Sequence, residues 1–303
     1  MPLTTLEKRV LEGHRRGIAP PSGPPNDPES WLAFALHAGL HAARSVRAFR
    51  AGSAPALLKE DGSPYTRLER SIETTLRSDL ERFAPDARLV GEETGGGAVL
   101  DGLVLALDPV DGTWAFLTQT GTYATTLAVF DDGSPFLAVV VSPATGELGY
   151  AMSEGTSRLL RLRLFEEADE GFDLPEAVEP SEKLLINLHP SRSGGSVDRV
   201  LRESWLRGDV TMVRGPGGSP AWALLESARG HFIYANLWGR RSAEAWDLAA
   251  GCLLVRRAGG DVVDLDGEPI GAVGHRGPFV AGIDAGARDQ VRELLEAAGA
   301  AGD

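Results

Sequence analysis

Four carboxylates, Glu92, Asp108, Asp111 and Asp247, stand at the ends of expected secondary-structure elements in three separated places. Leu103-Val-Leu-Ala-Leu107 is a short apolar run bounded by Gly102 and Pro109, and it reads as a buried strand. Asp108 and Asp111 fall on the turn at its end. Like charges so close together cannot both stay ionised without a counter-charge. Bound divalent cations supply one, and hard ions such as Mg²⁺ take oxygen ligands of this kind. Gly112-Thr113 then opens a short helix, Trp114 to Leu117, whose free N–H groups suit a phosphate. One turn therefore presents acids for metal beside amides for an anion.

The elements that must hold these groups follow from periodicity. Residues 1–18 pattern as a short amphipathic helix, and Ala19 to Pro28 is a Pro-rich linker. Glu29 to Phe49 and Arg67 to Phe83 are helical by pattern, separated by a Gly/Ser/Pro-rich loop that carries Lys59. A strand at Ala87 to Val90 delivers Glu92. Tyr123–Phe130 and Phe136–Val141 flank Asp131-Asp-Gly-Ser134, a hairpin turn, and Glu147–Met152 and Arg158–Phe165 extend the meander. The acidic piece Glu166 to Glu182 reads as an exposed connection. Beyond it strands and helices alternate, with Asp247 in the first turn of a helix from Trp246 to Arg257. The macrodipole alone also explains an acid at that place. Three units are expected: an extension and linker (1–28), an α+β half with the main acidic motifs (29–165) and an α/β half (166–303).

Totals limit the function classes. With 30 basic against 43 acidic residues the net charge is −13, and there is no basic run, so nonspecific nucleic-acid and anionic-membrane binding are excluded. If the substrate is an anion, metal ions must invert the local field. Cys252 is the only cysteine, which rules out an intrachain disulfide framework and fits a reducing cytoplasm. Neither a signal-peptide core nor an apolar run of membrane-spanning length is present, so the expectation is a cytoplasmic enzyme. Gly95-Gly-Gly97 and Gly215-Pro-Gly-Gly218 lack the Walker and dinucleotide spacings and read as turns. Ser/His/Asp hydrolysis lacks its G-x-S-x-G elbow, and the six histidines have no zinc spacing.

Gly91-Glu-Glu-Thr94, Asp108-Pro-Val-Asp-Gly-Thr113 and Trp246-Asp-Leu-Ala-Ala-Gly251, in that order, resemble the signatures of the inositol monophosphatase family. That lithium-sensitive superfamily includes fructose-1,6-bisphosphatases and phosphoadenosine-phosphate phosphatases. The resemblance runs from about Trp31 to Leu295 and leaves the extension outside. It implies a layered α/β/α/β/α sandwich and two or three Mg²⁺ ions, with Mn²⁺ as a substitute. Metal ligands would be Glu92, Asp108, the Val110 carbonyl, Asp111 and Asp247. Gly112 and Thr113 amides, with Asp111, would hold the substrate phosphate. Two-metal chemistry would clamp the attacking and leaving oxygens of an in-line displacement. A homodimer is common in the resembled family.

One position departs from the pattern. An aspartate usually stands three residues after the threonine of the Lys-containing loop, where it pairs with the motif threonine to orient water. Counted from Thr66, that place holds Glu69. Glu69, Thr113 and Glu92 are the catalytic expectations; Ser219, Arg240 and Arg241 are added as substrate contacts. Arg240 stands where inositol phosphatases tend to carry an acid, so a clamp for a second phosphate is one reading and a surface arginine the other. Inositol monophosphate is the expected substrate among small phosphorylated metabolites. A 3′(2′),5′-bisphosphate nucleotide, fructose-1,6-bisphosphate and a non-catalytic binding role stay open.

Overall fold

The computed structural model describes residues 2–23, 25, 27–49, 57–59, 64–95, 100–155, 157–162, 169–173, 185–189, 195–214, 218–237 and 244–299. Helix α1 (Thr5–Arg15) and helix α2 (Pro28–Ala48) come first. Asp27 caps α2 by accepting from the Ser30 amide at 2.7 Å, and Pro28 stands where a missing N–H costs nothing. An antiparallel pair, β1 (Leu57–Leu58) and β2 (Pro64–Tyr65), precedes α3 (Arg67–Phe83) and β3 (Arg88–Gly91). Strand β4 (Leu103–Asp111) ends at the short helix α4 (Thr113–Leu117). The meander then comprises β5 (Ala124–Asp131), β6 (Ser134–Ser142), β7 (Glu147–Met152), β8 (Ser157–Leu162) and β9 (Asp169–Asp173). The remainder is β10 (Leu185–His189), α5 (Gly195–Arg207), β11 (Met212–Arg214), α6 (Pro220–Ala228), β12 (Ile233–Asn236), α7 (Ala245–Arg257), β13 (Asp261–Asp264), β14 (Phe279–Gly282) and α8 (Ala285–Ala297).

Strands β3 to β9 form one sheet in chain order, parallel between β3 and β4 and antiparallel thereafter. The second sheet has the order β11-β10-β12-β14-β13. The central strands β4, β5 and β6 are covered on both faces, and they read as largely apolar runs for that reason. Along β4, Leu105 and Leu107 pack with α2 and α3, whereas Val104 and Ala106 pack with α6 and α7. In the second sheet, Tyr234, Phe279 and Ala281 face the same central helices. Ile233, Ala235 and Val280 face the other way, onto Val197 and Leu201 of α5 and Val291 and Leu295 of α8. The layers are therefore α/β/α/β/α. No described helix is long and apolar enough to cross a membrane.

Two details differ from the sequence expectation. The piece expected as a connection from Glu166 to Glu182 contains β9, which pairs antiparallel with β8, so the first sheet continues past residue 165. Strand β4 also runs four residues beyond Leu107, to Asp111, through an irregularity. Asp108 pairs with Thr126 and Asp111 with Ala124, so three steps on β4 match two on β5. The extra residue is a bulge, the place in a sheet interior where Pro109, with no N–H to give, is tolerated.

Helix α1 is held by charge as well as by its apolar face. Buried Glu7 accepts from Arg158 Nε at 2.8 Å and from the Tyr150 hydroxyl at 3.0 Å. Its other oxygen accepts the Thr4 amide at 2.5 Å in a capping box. Arg158 is itself buried, so removing Glu7 takes a charged partner from a cation kept away from water. Glu7→Ala is expected to lower unfolding stability by about 3–5 kcal/mol. Urea denaturation of the two proteins measures it.

Candidate functional site

The bulge in β4 decides where the acids point. Side chains alternate along a strand, so residues 108 and 111, three apart, would fall on opposite faces of a regular one. With one residue taken out of the alternation, Val110 joins Leu105 and Leu107 against α2 and α3. Asp111 turns to the side of Val104, Ala106 and Asp108, where it meets the start of α6. Asp108 Oδ1 accepts the Val110 amide at 2.8 Å, and the Thr125 hydroxyl donates to the Pro109 carbonyl at 2.8 Å. The backbone that a proline interrupts is thus tied down from both sides.

Asp111 Oδ2 accepts from the Ser219 hydroxyl and from the Ala221 amide at 2.7 Å. Ser219 Oγ in turn accepts the Trp222 amide at 2.7 Å and so caps α6. Gly112, at φ +88°, lies against this cap: a Cβ there would come within 2.9 Å of Ser219 N. No side chain fits at that place. Next to it, the Thr113 hydroxyl has Glu69 Oε1 and the Val110 carbonyl as acceptors, each at 3.2 Å. Glu69 Oε2 accepts the Thr66 amide at the start of α3. The extra methylene of Glu69 relative to aspartate therefore does not break its pairing with Thr113.

Glu92 leaves the end of β3 toward Asp108. Lys59, from the loop before α3, bridges to Glu92 Oε1 at 2.6 Å and Glu93 Oε1 at 2.5 Å. Asp247, in the first turn of α7, accepts the Glu244 amide at 2.8 Å. Its charge also reaches Asp111. Sequence reasoning missed Glu73, which is fully buried and holds the turn after Glu92. The signal was its position, four residues after Glu69 and hence on the same face of α3. Arg240 and Arg241 lie outside the described residues.

Burial dominates the electrostatics. It raises the Asp108 pKa well above the usual carboxylate range, and the charges of Glu92 and Asp111, a hydrogen bond with Glu92 and the charge of Glu69 push the same way. Asp111 is pushed up to about 8 by burial; the bonds from Ser219 and Ala221 oppose this, and the charges of Asp247 and Glu92 add to it. Glu69 rises to about 7, again by burial, against hydrogen bonds from Thr66 and with the charges of Glu93 and Glu92. Burial alone would lower the Lys59 pKa, but Glu92 and Glu93 outweigh it and hold the ammonium above its usual range. The donors are hard oxygens short of positive charge, which fits a divalent cation such as Mg²⁺. Among the described residues no three of them close into a ready-made ligand set. Lys59, the Ala221 amide and the Glu244 amide engage Glu92, Asp111 and Asp247 respectively.

The family model for the inositol monophosphatase family matches residues 27–298. The chain belongs to the inositol monophosphatase family. It is accordingly a phosphatase, a hydrolase of phosphate monoesters. A histidinol-phosphatase of Mycobacterium tuberculosis is 29% identical over 212 residues, 69% of this chain and 77% of that protein. An inositol-1-monophosphatase of Bacillus subtilis is 29% identical over 208 residues, 67% of this chain and 73% of its own length. Among solved structures, a Thermotoga maritima IMPase superposes with a TM-score of 0.69 at 20% identity, covering 88% of this chain and 97% of its own. An IMPase/NADP phosphatase complexed with Mg²⁺ and phosphate gives a TM-score of 0.64 at 18% identity, over 81% and 87%. These two likenesses establish the inositol monophosphatase fold.

The raised carboxyl pKa values set a pH dependence for the metal-free protein. Unfolded, Asp111 and Glu69 titrate near 3.8 and 4.5; folded, they titrate near 8 and 7. Between about pH 4 and 8 the folded state holds protons that the unfolded state has released, so stability falls as pH rises through that window. It levels off above about pH 8. The thermal midpoint in chelator is expected to drop from pH 5 to pH 8. A flat or rising profile would show that these acids stay ionised in the fold.

Proposed function

We propose that the chain is a Mg²⁺-dependent phosphomonoesterase of a small soluble phosphate ester, with inositol monophosphate as the leading substrate. The observation that carries this is the meeting of Asp108, Asp111 and the Glu69–Thr113 pair at one bulged strand end, with Glu92 arriving from β3. Glu92, Asp108, Asp111, Asp247 and the Val110 carbonyl would hold two or three Mg²⁺ ions, with Mn²⁺ as a substitute. When bound, Mg²⁺ supplies positive charge against the phosphate and lowers the pKa of water at the site.

The chain's own residues supply position and proton transfer. Glu69, ionised, accepts the Thr113 hydroxyl hydrogen and leaves the oxygen lone pairs of Thr113 directed at an attacking water. Its hydrogen bond with Thr113 places the Glu69 carboxylate to take a proton from that water by way of the hydroxyl. The Gly112 and Thr113 amides and Ser219 would line the phosphate side, and the missing Cβ of Gly112 lets the Ser219 cap of α6 pack against this turn. Lys59 holds Glu92 Oε1 and would compete with a cation for that carboxylate. Support for the substrate comes from the relative named inositol-1-monophosphatase. The histidinol-phosphatase matches at the same identity, which makes histidinol phosphate the second reading.

Two measurements check the reading. Asp108→Asn is expected to abolish phosphate release at any Mg²⁺ concentration, and Glu69→Gln to lower kcat by about 10²–10⁴-fold with little change in KM. Turnover by Asp108→Asn, or by the parent protein in excess chelator, would overturn the metal assignment. Comparison of kcat/KM for inositol-1-phosphate, histidinol phosphate, fructose-1,6-bisphosphate and adenosine 3′,5′-bisphosphate identifies the ester. Li⁺ titrated at fixed Mg²⁺ is expected to inhibit, and the absence of any inhibition would place the chain apart from the lithium-sensitive members.

A further inference from the structure

Helix α3 carries two fully buried glutamates one turn apart, Glu69 and Glu73. The first reaches the Thr113 hydroxyl. The second makes no contact with the β4 acids but takes three hydrogens from the turn that follows β3. Its Oε1 accepts the Glu93 amide at 2.8 Å, and its Oε2 accepts the Thr94 amide at 2.9 Å and the Thr94 hydroxyl at 2.5 Å. A buried carboxylate that accepts consecutive amides fixes the peptide planes between them, and here those planes follow Glu92 directly. Arg77, four residues further along α3, donates to Thr94 Oγ1 at 2.8 Å and to the Leu89 carbonyl at 2.9 Å. Gly91 and Gly95 close the same turn through bonds of 2.9 and 3.2 Å. The fit is tight: a Cβ on Gly91 would lie 2.5–2.6 Å from all three carboxylate atoms of Glu73.

We infer that Glu73 is the positioning residue for the Glu92 metal ligand, acting through the backbone of residues 92–94. The inference rests on the Mg²⁺ reading above and deepens it. Glu92 stands at the end of a four-residue strand, next to a lysine that competes for it. Without the Glu73 clamp the peptide planes after Glu92 lose their buried acceptor, and the cost falls on metal capture. Glu73 itself touches neither cation nor substrate. The residue also accounts for the glycine of the Gly91-Glu-Glu-Thr94 motif, which leaves room for the carboxylate behind it.

The test is Mg²⁺ binding by calorimetry on the full-length protein, with phosphate release from inositol-1-phosphate recorded against Mg²⁺. Glu73→Gln replaces one acceptor with a donor that opposes an amide N–H. Its Mg²⁺ Kd is expected to rise about 10–100-fold, the usual effect of removing a group that orients a metal ligand. Raising Mg²⁺ should restore turnover, a rescue that a merely structural lesion would not give. Gly91→Ala should act in the same way by displacing the carboxylate. If either fails to fold, Thr94→Val provides an exposed site that loses one of the three donors; its Kd should rise by a smaller factor. An unchanged Kd in Glu73→Gln or, failing that, Thr94→Val overturns the inference. Asp108→Asn separates the two levels. If that variant loses Mg²⁺ while the Glu73 and Thr94 variants bind as the parent does, only the positioning role falls; if it binds Mg²⁺ normally, the metal reading falls with it.

Discussion

The controlling constraint is negative charge gathered where water is excluded. Asp108, Asp111 and Glu69 are all buried, and each feels at least one other carboxylate nearby. Repulsion at such short range cannot be screened by solvent, so the fold has to answer it with directed hydrogen-bond donors. It does so one carboxylate at a time. Ser219 and the α6 amide hold Asp111, the Val110 amide holds Asp108, and Thr66 holds Glu69. Lys59 is the one cationic side chain joined to the Glu92–Glu93 pair among the described residues. The arrangement leaves a deficit of positive charge, the condition that suits a divalent cation.

The layered architecture follows from the need to deliver these groups from distant parts of the chain. Strand β4 is central enough to be covered on both faces, so its end is a place where a carboxylate can be kept from water. Helix α3 lies on one face and contributes Glu69 and Glu73. Helices α6 and α7 lie on the other and contribute Ser219 and Asp247. The bulge at Pro109 is the point at which both sets can be addressed by one strand: Val110 turns into one core and Asp111 toward the other layer. A regular strand of the same composition would bury Asp111 among the side chains of α2 and α3.

Much of this was legible from residue order. Acids at the ends of apolar runs and the order of three short motifs pointed to the family, and the strand–helix alternation pointed to the layers. What sequence reading left out has physical reasons. Alternation along a strand counts residues but cannot see the partner strand, so the bulge that reverses Asp111 was invisible. Strand β9 begins with Asp169-Glu170, charged residues that read as solvated connection until β8 supplies the pairing. Glu73 looks like any helix-surface acid because its partners, Glu93 and Thr94, are 20 and 21 residues away. Lys59 went the same way, since its partners lie more than thirty positions ahead.

The ion pair that anchors α1 has a consequence in time. Glu7 meets Tyr150 and Arg158 across 143 and 151 residues of chain, and the family match begins only at residue 27. At ribosomal speeds of roughly 5–20 residues per second, the first helix leaves the tunnel on the order of ten seconds before its partners do. During that interval its apolar side, Val10 and Leu11, has α2 to pack against but not the charge partners of Glu7. Helix α1 is thus made well before the ion pair that ties it to the first sheet can form.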